Sequence, residues 1–95
     1  MSDANELEIL NDALYHFGIS HQETKCIEEM SELTKEICKH KDGQDNVQKI
    51  AEEIADVLIT IDQMILFYGI EESVSEWREN KLRRLRQNIF LEQYG

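Results

Sequence analysis

The stretch DNVQKIAEEIADVLITIDQMILFYG, residues 45–69, decides how this chain folds. Apolar residues recur at Ile50, Ile54, Val57, Ile61, Ile65 and Tyr68. That is the three- and four-residue spacing of one face of an α-helix. Asp45 and Gln48 have the spacing of a capping box at its start, and Gly69 supplies a stop after Tyr68. A second apolar patch, Ala55, Ile59 and Leu66, lies roughly 120–140° around the same helix at 100° per residue. One apolar face packs a domain, and a second on the same helix is expected to pack a partner.

Working outward, three more helices are expected. Towards the N-terminus, Ser20 and Glu23 form a capping-box pair, and the helix they open runs to about Lys39. Its apolar face is Cys26, Met30, Leu33 and Ile37, widened by Ile27 and Thr34, and Asp42-Gly43 marks the turn after it. Before it, Asp3 and Glu6 open a helix carrying Leu7, Leu10 and Leu14, which Phe17-Gly18 closes. Beyond residue 69, Ser73 and Glu76 open the last helix, with Val74, Trp77, Leu82, Leu85 and Ile89 as its buried side. No strand pattern, linker or repeat interrupts the series. The fold class is all-α: a single domain over residues 1–95, four-helix bundle-like, with an antiparallel helical hairpin at its centre.

Composition narrows the function classes. Proline is absent and there are 4 glycines, so few residues break a helix. A chain of 95 residues buries only about 60–65% of its unfolded surface, so association into a homodimer or homotetramer is expected. Twenty acidic against ten basic residues give a formal charge of −10, which disfavours duplex nucleic acid and anionic membranes as partners. Half of the basic residues, Arg78, Lys81, Arg83, Arg84 and Arg86, nevertheless fall together on the last helix. Residues 1–10 are charged and unlike a signal peptide, and Asp56 and Asp62 bracket the most apolar run far short of a membrane span. Cys26 and Cys38 are too few for a disulfide framework and read as reduced core thiols. A cytoplasmic location follows as the expectation.

The chemistry-bearing residues are carboxylates. Glu28-Glu29-Met30-Ser31-Glu32 stands on the second helix and Glu53-Ile54-Ala55-Asp56 on the third. Residues three apart on a helix are surface neighbours, so Glu29 with Glu32 and Glu53 with Asp56 form two pairs. Each pair borders the apolar stripe of its helix, so pairing the stripes brings the acids towards one edge. Like-charged pairs about 4 Å apart cost roughly 4 kcal/mol at an effective dielectric of 20. A cation offsets that cost, and all-oxygen ligands suit magnesium or manganese rather than zinc. Read alone, either pair also fits a solvated acidic face. Arg78, Lys81 and Arg84 recur at three-residue intervals, a line suited either to a polyphosphate or to complementing the helix dipole. His16, His21 and His40 share no ligand spacing and read as surface or capping residues, and Tyr15, Phe17 and Trp77 as core aromatics. No glycine-rich phosphate loop or nucleophile elbow is present.

The arrangement Glu28-Glu29-x-x-Glu32, then Glu53-x-x-Asp56 after twenty intervening residues, resembles the signature of MazG-like nucleoside triphosphate pyrophosphohydrolases. These belong to the all-α NTP pyrophosphatase superfamily, with dimeric dUTPases and phosphoribosyl-ATP pyrophosphatases. The likeness covers residues 22–86, including the run Glu52-Glu53-Ile54-Ala55-Asp56-Val57 and the basic last helix. It implies that Glu29, Glu32, Glu53 and Asp56 bind magnesium and carry catalysis. Lys81 and Arg84 would bind the phosphates, from the same chain or a neighbouring one. The implied reaction is attack of water on the α-phosphorus of a (deoxy)nucleoside triphosphate, giving a monophosphate and pyrophosphate. The short turn from Lys39 to Gln44 has no room for the specificity-determining insertions of some relatives, so the base preference is open. Two other readings stand beside this one. The first is phosphoribosyl-ATP as the substrate, and the second is a non-catalytic acidic helical module that dimerises or binds a protein.

Overall fold

The structure, a computed structural model, describes residues 3–94. It consists of α1 (Ala4–Phe17), α2 (Ile19–Lys41), α3 (Val47–Tyr68) and α4 (Glu71–Tyr94), with no strand among the described residues. The all-α expectation therefore holds. The helix ends follow mostly from the residues named above. Asp3 caps α1, its Oδ1 accepting from the Glu6 N–H at 2.8 Å. Gly18 (φ 86°) and Gly69 (φ 65°) take left-handed-side conformations that close α1 and α3. Two starts differ from expectation. No side chain caps α2, which begins at Ile19 directly from the Gly18 bend, so Ser20 lies inside the helix. α4 begins at Glu71, two residues before Ser73, because the chain re-enters a helix immediately after Gly69. The third start is within a residue of the expected one, with Asn46 rather than Asp45 in the cap position.

α2 and α3 form the antiparallel hairpin and make the most extensive contact in the molecule. Gln22, near the start of α2, bonds Gln63, near the end of α3, while Glu36 meets Asn46 at the opposite end. α1 touches both hairpin helices and buries Leu10. α4 touches α3 alone. The result is elongated, 51 × 35 × 23 Å, with a radius of gyration of 16.6 Å. A compact domain of this length would have a radius near 12 Å.

The hairpin packs differently from the apolar-stripe reading. The buried residues of α3 are Glu53, Val57, Thr60 and Gln63, and those of α2 are Gln22, Cys26 and Glu36. Of the expected α3 stripe only Val57 is buried; Ile54 and Tyr68 are exposed, and Ile50, Ile61 and Ile65 are half-buried. On α2, Met30, Ile37, Ile27 and Cys38 are likewise exposed, so Cys26 alone is a core thiol. No residue of α4 is buried, and Tyr15, Phe17 and Trp77 are exposed rather than in a core. One cause underlies these corrections. A hairpin has one inner face, and here Gln22, Glu36, Glu53, Thr60 and Gln63 take up much of it, leaving the apolar residues beside them half-buried or exposed.

Asn46 shows how the polar face is held. Its Nδ2 donates to the Glu36 backbone oxygen at 2.9 Å and to Glu36 Oε1 at 3.0 Å, tying the loop to the last turns of α2. The Asn46 bond, and then Lys39 at 3.2 Å, hold the Glu36 carboxyl below its ordinary range against the opposing effect of burial. A carboxyl depressed in the folded state adds stability above the unfolded pKa, and that contribution is lost as pH falls through the folded value. The expected loss begins below about pH 4.3. Glu36→Gln should therefore flatten the fall in melting temperature between about pH 5 and pH 3 that the wild type shows. Asn46→Ala, followed by urea unfolding, should cost roughly 1–3 kcal/mol because it leaves buried acceptors unpaired.

Candidate metal centre

Because α2 and α3 run in opposite directions with Gln22 level with Gln63, Glu29 falls level with Asp56, each seven residues further into the hairpin. Glu53 lies one turn from Asp56 on the same side of α3. One carboxylate oxygen each from Glu29, Glu53 and Asp56 lies within 4.8 Å of the other two. Glu53 is buried and its two partners are half-buried. Three of the four acids expected to act together are thus gathered by two helices. The fourth, Glu32, is exposed on α2 and outside this group. Glu32 is a surface neighbour of Glu29 one turn along α2, but it stands on the solvent side of the seam.

Two lysines answer the charge. Lys25 Nζ stands 3.3 Å from Glu29 Oε1, and Lys49 Nζ stands 3.6 Å from Glu53 Oε1 and 3.5 Å from Glu52 Oε2. Each precedes its carboxylate by four residues, so one helical turn delivers the ammonium from the solvent side. Glu52 first, and Glu53 after it, hold the Lys49 ammonium above the ordinary lysine range. Two ammoniums, one of them shared with Glu52, leave the three carboxylates short of neutrality. The donor set is all oxygen, the chemistry that suits a hard divalent cation. Three oxygens within 4.8 Å enclose a point no farther than about 2.8 Å from each, against roughly 2.0–2.1 Å for a magnesium–oxygen bond. Rotamer adjustments of under about 1 Å would close that difference, so the residues fit the ion.

A cleft of about 150 Å³ opens beside the acids. Lys25, Glu29 and Asp56 line one end, Ile59 and Thr60 its middle, and Gln22 and Gln63 the other end. Thr60 is buried and its hydroxyl donates to the Val57 carbonyl at 2.8 Å. Lys81 and Arg84 do not line this cleft, and α4 does not touch α2. Lys81 instead sits 5.9 Å from the Trp77 ring centroid on its own helix. The basic line and the acidic trio of one chain are therefore not brought together.

Reading the sequence for charge missed the two amides and the two lysines. The signal was available as spacing: Gln22 lies seven residues before Glu29, and Gln63 seven after Asp56. In an antiparallel pair, equal offsets in opposite senses meet. Comparison of the chain with protein-family models, with curated proteins and with solved structures finds no match.

The trio should respond to a hard cation. Magnesium or manganese at millimolar concentration should raise the melting temperature of the wild type. Asp56→Asn should abolish that rise while leaving the metal-free protein as stable or more so, since one repulsive charge is gone. An equal rise in both proteins would place the ion elsewhere.

Proposed function

We propose that the chain is a magnesium- or manganese-dependent pyrophosphohydrolase acting on (deoxy)nucleoside triphosphates at the α-phosphorus. The observation that carries this reading is the convergence of Glu29, Glu53 and Asp56 from two facing helices onto one point, with a cleft beginning at that point. The likeness of the two acidic motifs to those of MazG-like enzymes supports it from the sequence side. In this reading Glu29, Glu53 and Asp56 hold the cation, with Glu32 as a fourth ligand from the neighbouring turn. A bound divalent ion supplies activation of water and neutralisation of charge on phosphoryl oxygens. Water attacks the α-phosphorus, the bond from phosphorus to the pyrophosphate oxygen breaks, and a carboxylate oxygen of the cluster accepts the water's proton.

The reading extends to assembly. One chain's cleft is smaller than the roughly 300–1,000 Å³ of typical ligand sites, so it encloses part of a nucleotide only. The missing wall and the missing cations are both carried on surfaces that one chain leaves uncovered. Leu82, Leu85 and Ile89 form an exposed apolar groove on α4, flanked by Arg83 and Arg86, and Ile59 on α3 is also exposed. In a homo-oligomer, α4 of one copy would deliver Lys81 and Arg84 to the acids of another, with Ala55, Ile59 and Leu66 within the same interface. Phosphoribosyl-ATP as the substrate would use the same acids and the same chemistry, and differs only in the nucleotide that the cleft accepts.

Purified protein with magnesium and a panel of nucleotides should release pyrophosphate, not orthophosphate, from at least one triphosphate. Glu53→Gln should lower that rate by at least about a hundredfold without loss of helicity by circular dichroism. Release of orthophosphate with a nucleoside diphosphate would move the attack away from the α-phosphorus.

Assembly is checked separately. The double variant Leu85→Glu, Ile89→Glu should shift the mass seen by light scattering towards monomer, and pyrophosphate release should fall with it. A monomeric variant of full activity would show that each chain completes its own site.

A further inference from the structure

The far end of the cleft carries polar chemistry that the metal chemistry does not use. Gln22 and Gln63 are both about 95% buried, at 5% relative exposure. Gln22 Nε2 donates to Gln63 Oε1 at 2.6 Å, and Gln22 Oε1 accepts from His21 Nδ1 at 2.8 Å. An amide oxygen can only accept, so this arrangement requires the His21 proton on Nδ1. The ring is steadied by stacking on Phe17, with centroids 5.2 Å apart and planes 18° from parallel. The polarity then runs in one direction: His21 donates to Gln22, and Gln22 donates to Gln63, whose oxygen uses one of its two lone pairs in that bond. What remains is the Gln63 Nε2 group. No described residue accepts from it, and Gln63 lines the cleft. This NH₂ group is therefore free to donate to water or to a ligand in the cleft.

The position of this donor sets what it can touch. Seven residues of helix separate it from Asp56, about 10.5 Å along the axis. That is of the order of the reach from the α-phosphate of a nucleotide across its sugar to the base. Ile59 and Thr60 line the cleft between the two ends, at the level of the sugar. We propose that the His21–Gln22–Gln63 relay is the base-reading element of the cleft, presenting Gln63 as a fixed donor to an oxo group of the nucleobase. A base with an amino group at that position would bring a donor against a donor. Uracil and thymine would therefore be accepted over cytosine. Gln63 is the contact residue. Gln22 and His21 are positioning residues that stop its amide from turning over. This assignment rests on the reading of the cleft as a nucleotide site.

The test compares uridine and cytidine triphosphates as substrates with magnesium, and the corresponding monophosphates as ligands followed through the glutamine side-chain amide signals in NMR. The wild type should favour uridine over cytidine by roughly tenfold or more in kcat/KM, the value of one buried hydrogen bond. Gln63→Met, which keeps volume and removes the donor, should bring the ratio close to one. His21→Leu alters only an exposed ring, and it should weaken the preference by freeing both amides to turn. Its magnesium-induced rise in melting temperature should stay unchanged, which a general loss of structure would not allow. If nothing is hydrolysed but uridine monophosphate shifts the Gln63 amide signals and cytidine monophosphate does not, the relay stands and the pyrophosphohydrolase reading fails. Hydrolysis with the same uridine-to-cytidine ratio in the wild type and both variants would overturn the relay and leave the enzyme reading intact. Discrimination by sugar hydroxyls alone, unaltered by Gln63→Met, would equally overturn it.

Discussion

The register between α2 and α3 is the constraint on which the other features depend. It is held at both ends by amide side chains, Gln22 with Gln63 at one and Asn46 with Glu36 at the other. Such contacts are directional. Sliding either helix by one residue rotates its side chains by about 100° and strands buried amides without partners, at a cost of roughly 1–3 kcal/mol for each group. Apolar contacts alone tolerate sliding far better, because they lack that direction. Glu29 and Asp56 are level only in this register, so the acidic trio is a consequence of amides placed two turns away from it.

A polar seam has a cost elsewhere in the molecule. Three hydrophobic residues, Leu10, Cys26 and Val57, are buried among the described residues, while large apolar side chains on every helix stay exposed. Charged and amide groups on the inner face have partners: Gln63 for Gln22 across the hairpin, Asn46 for Glu36, and, from one turn earlier on the same helix, Lys25 and Lys49 for the acids. The apolar stripes are thereby displaced outward. The same displacement explains the elongated shape and a last helix that touches one neighbour only. Burial of the site and exposure of the stripes are two sides of one packing choice.

The acids and the amides divide the cleft by chemistry. At one end, charge density and hard oxygen donors suit a cation and the phosphates it accompanies. At the other, neutral donors with fixed polarity suit a group that must be distinguished by hydrogen bonding rather than by charge. Thr60, a buried and uncharged residue of the same cleft, has its hydroxyl proton committed to the Val57 carbonyl.

Much of this was legible in the residues themselves. Helical periodicity, Asp3 as a cap and glycines 18 and 69 as stops determined four helices and most of their ends, because these are local interactions within a few residues. The spacing of Glu29, Glu53 and Asp56 placed them near the seam for the same reason. Periodicity shows that a helix has an apolar face but not what covers it. The outward turn of Ile54 and Ile37, the exposure of Glu32 and the separation of Lys81 and Arg84 from the acids were decided only by tertiary structure. So was the pairing of Gln22 with Gln63, two amides that are ordinary polar residues until two helices bring them within hydrogen-bonding distance and bury them. Burial and directional bonding are properties of pairs of segments, and a single helix does not contain them.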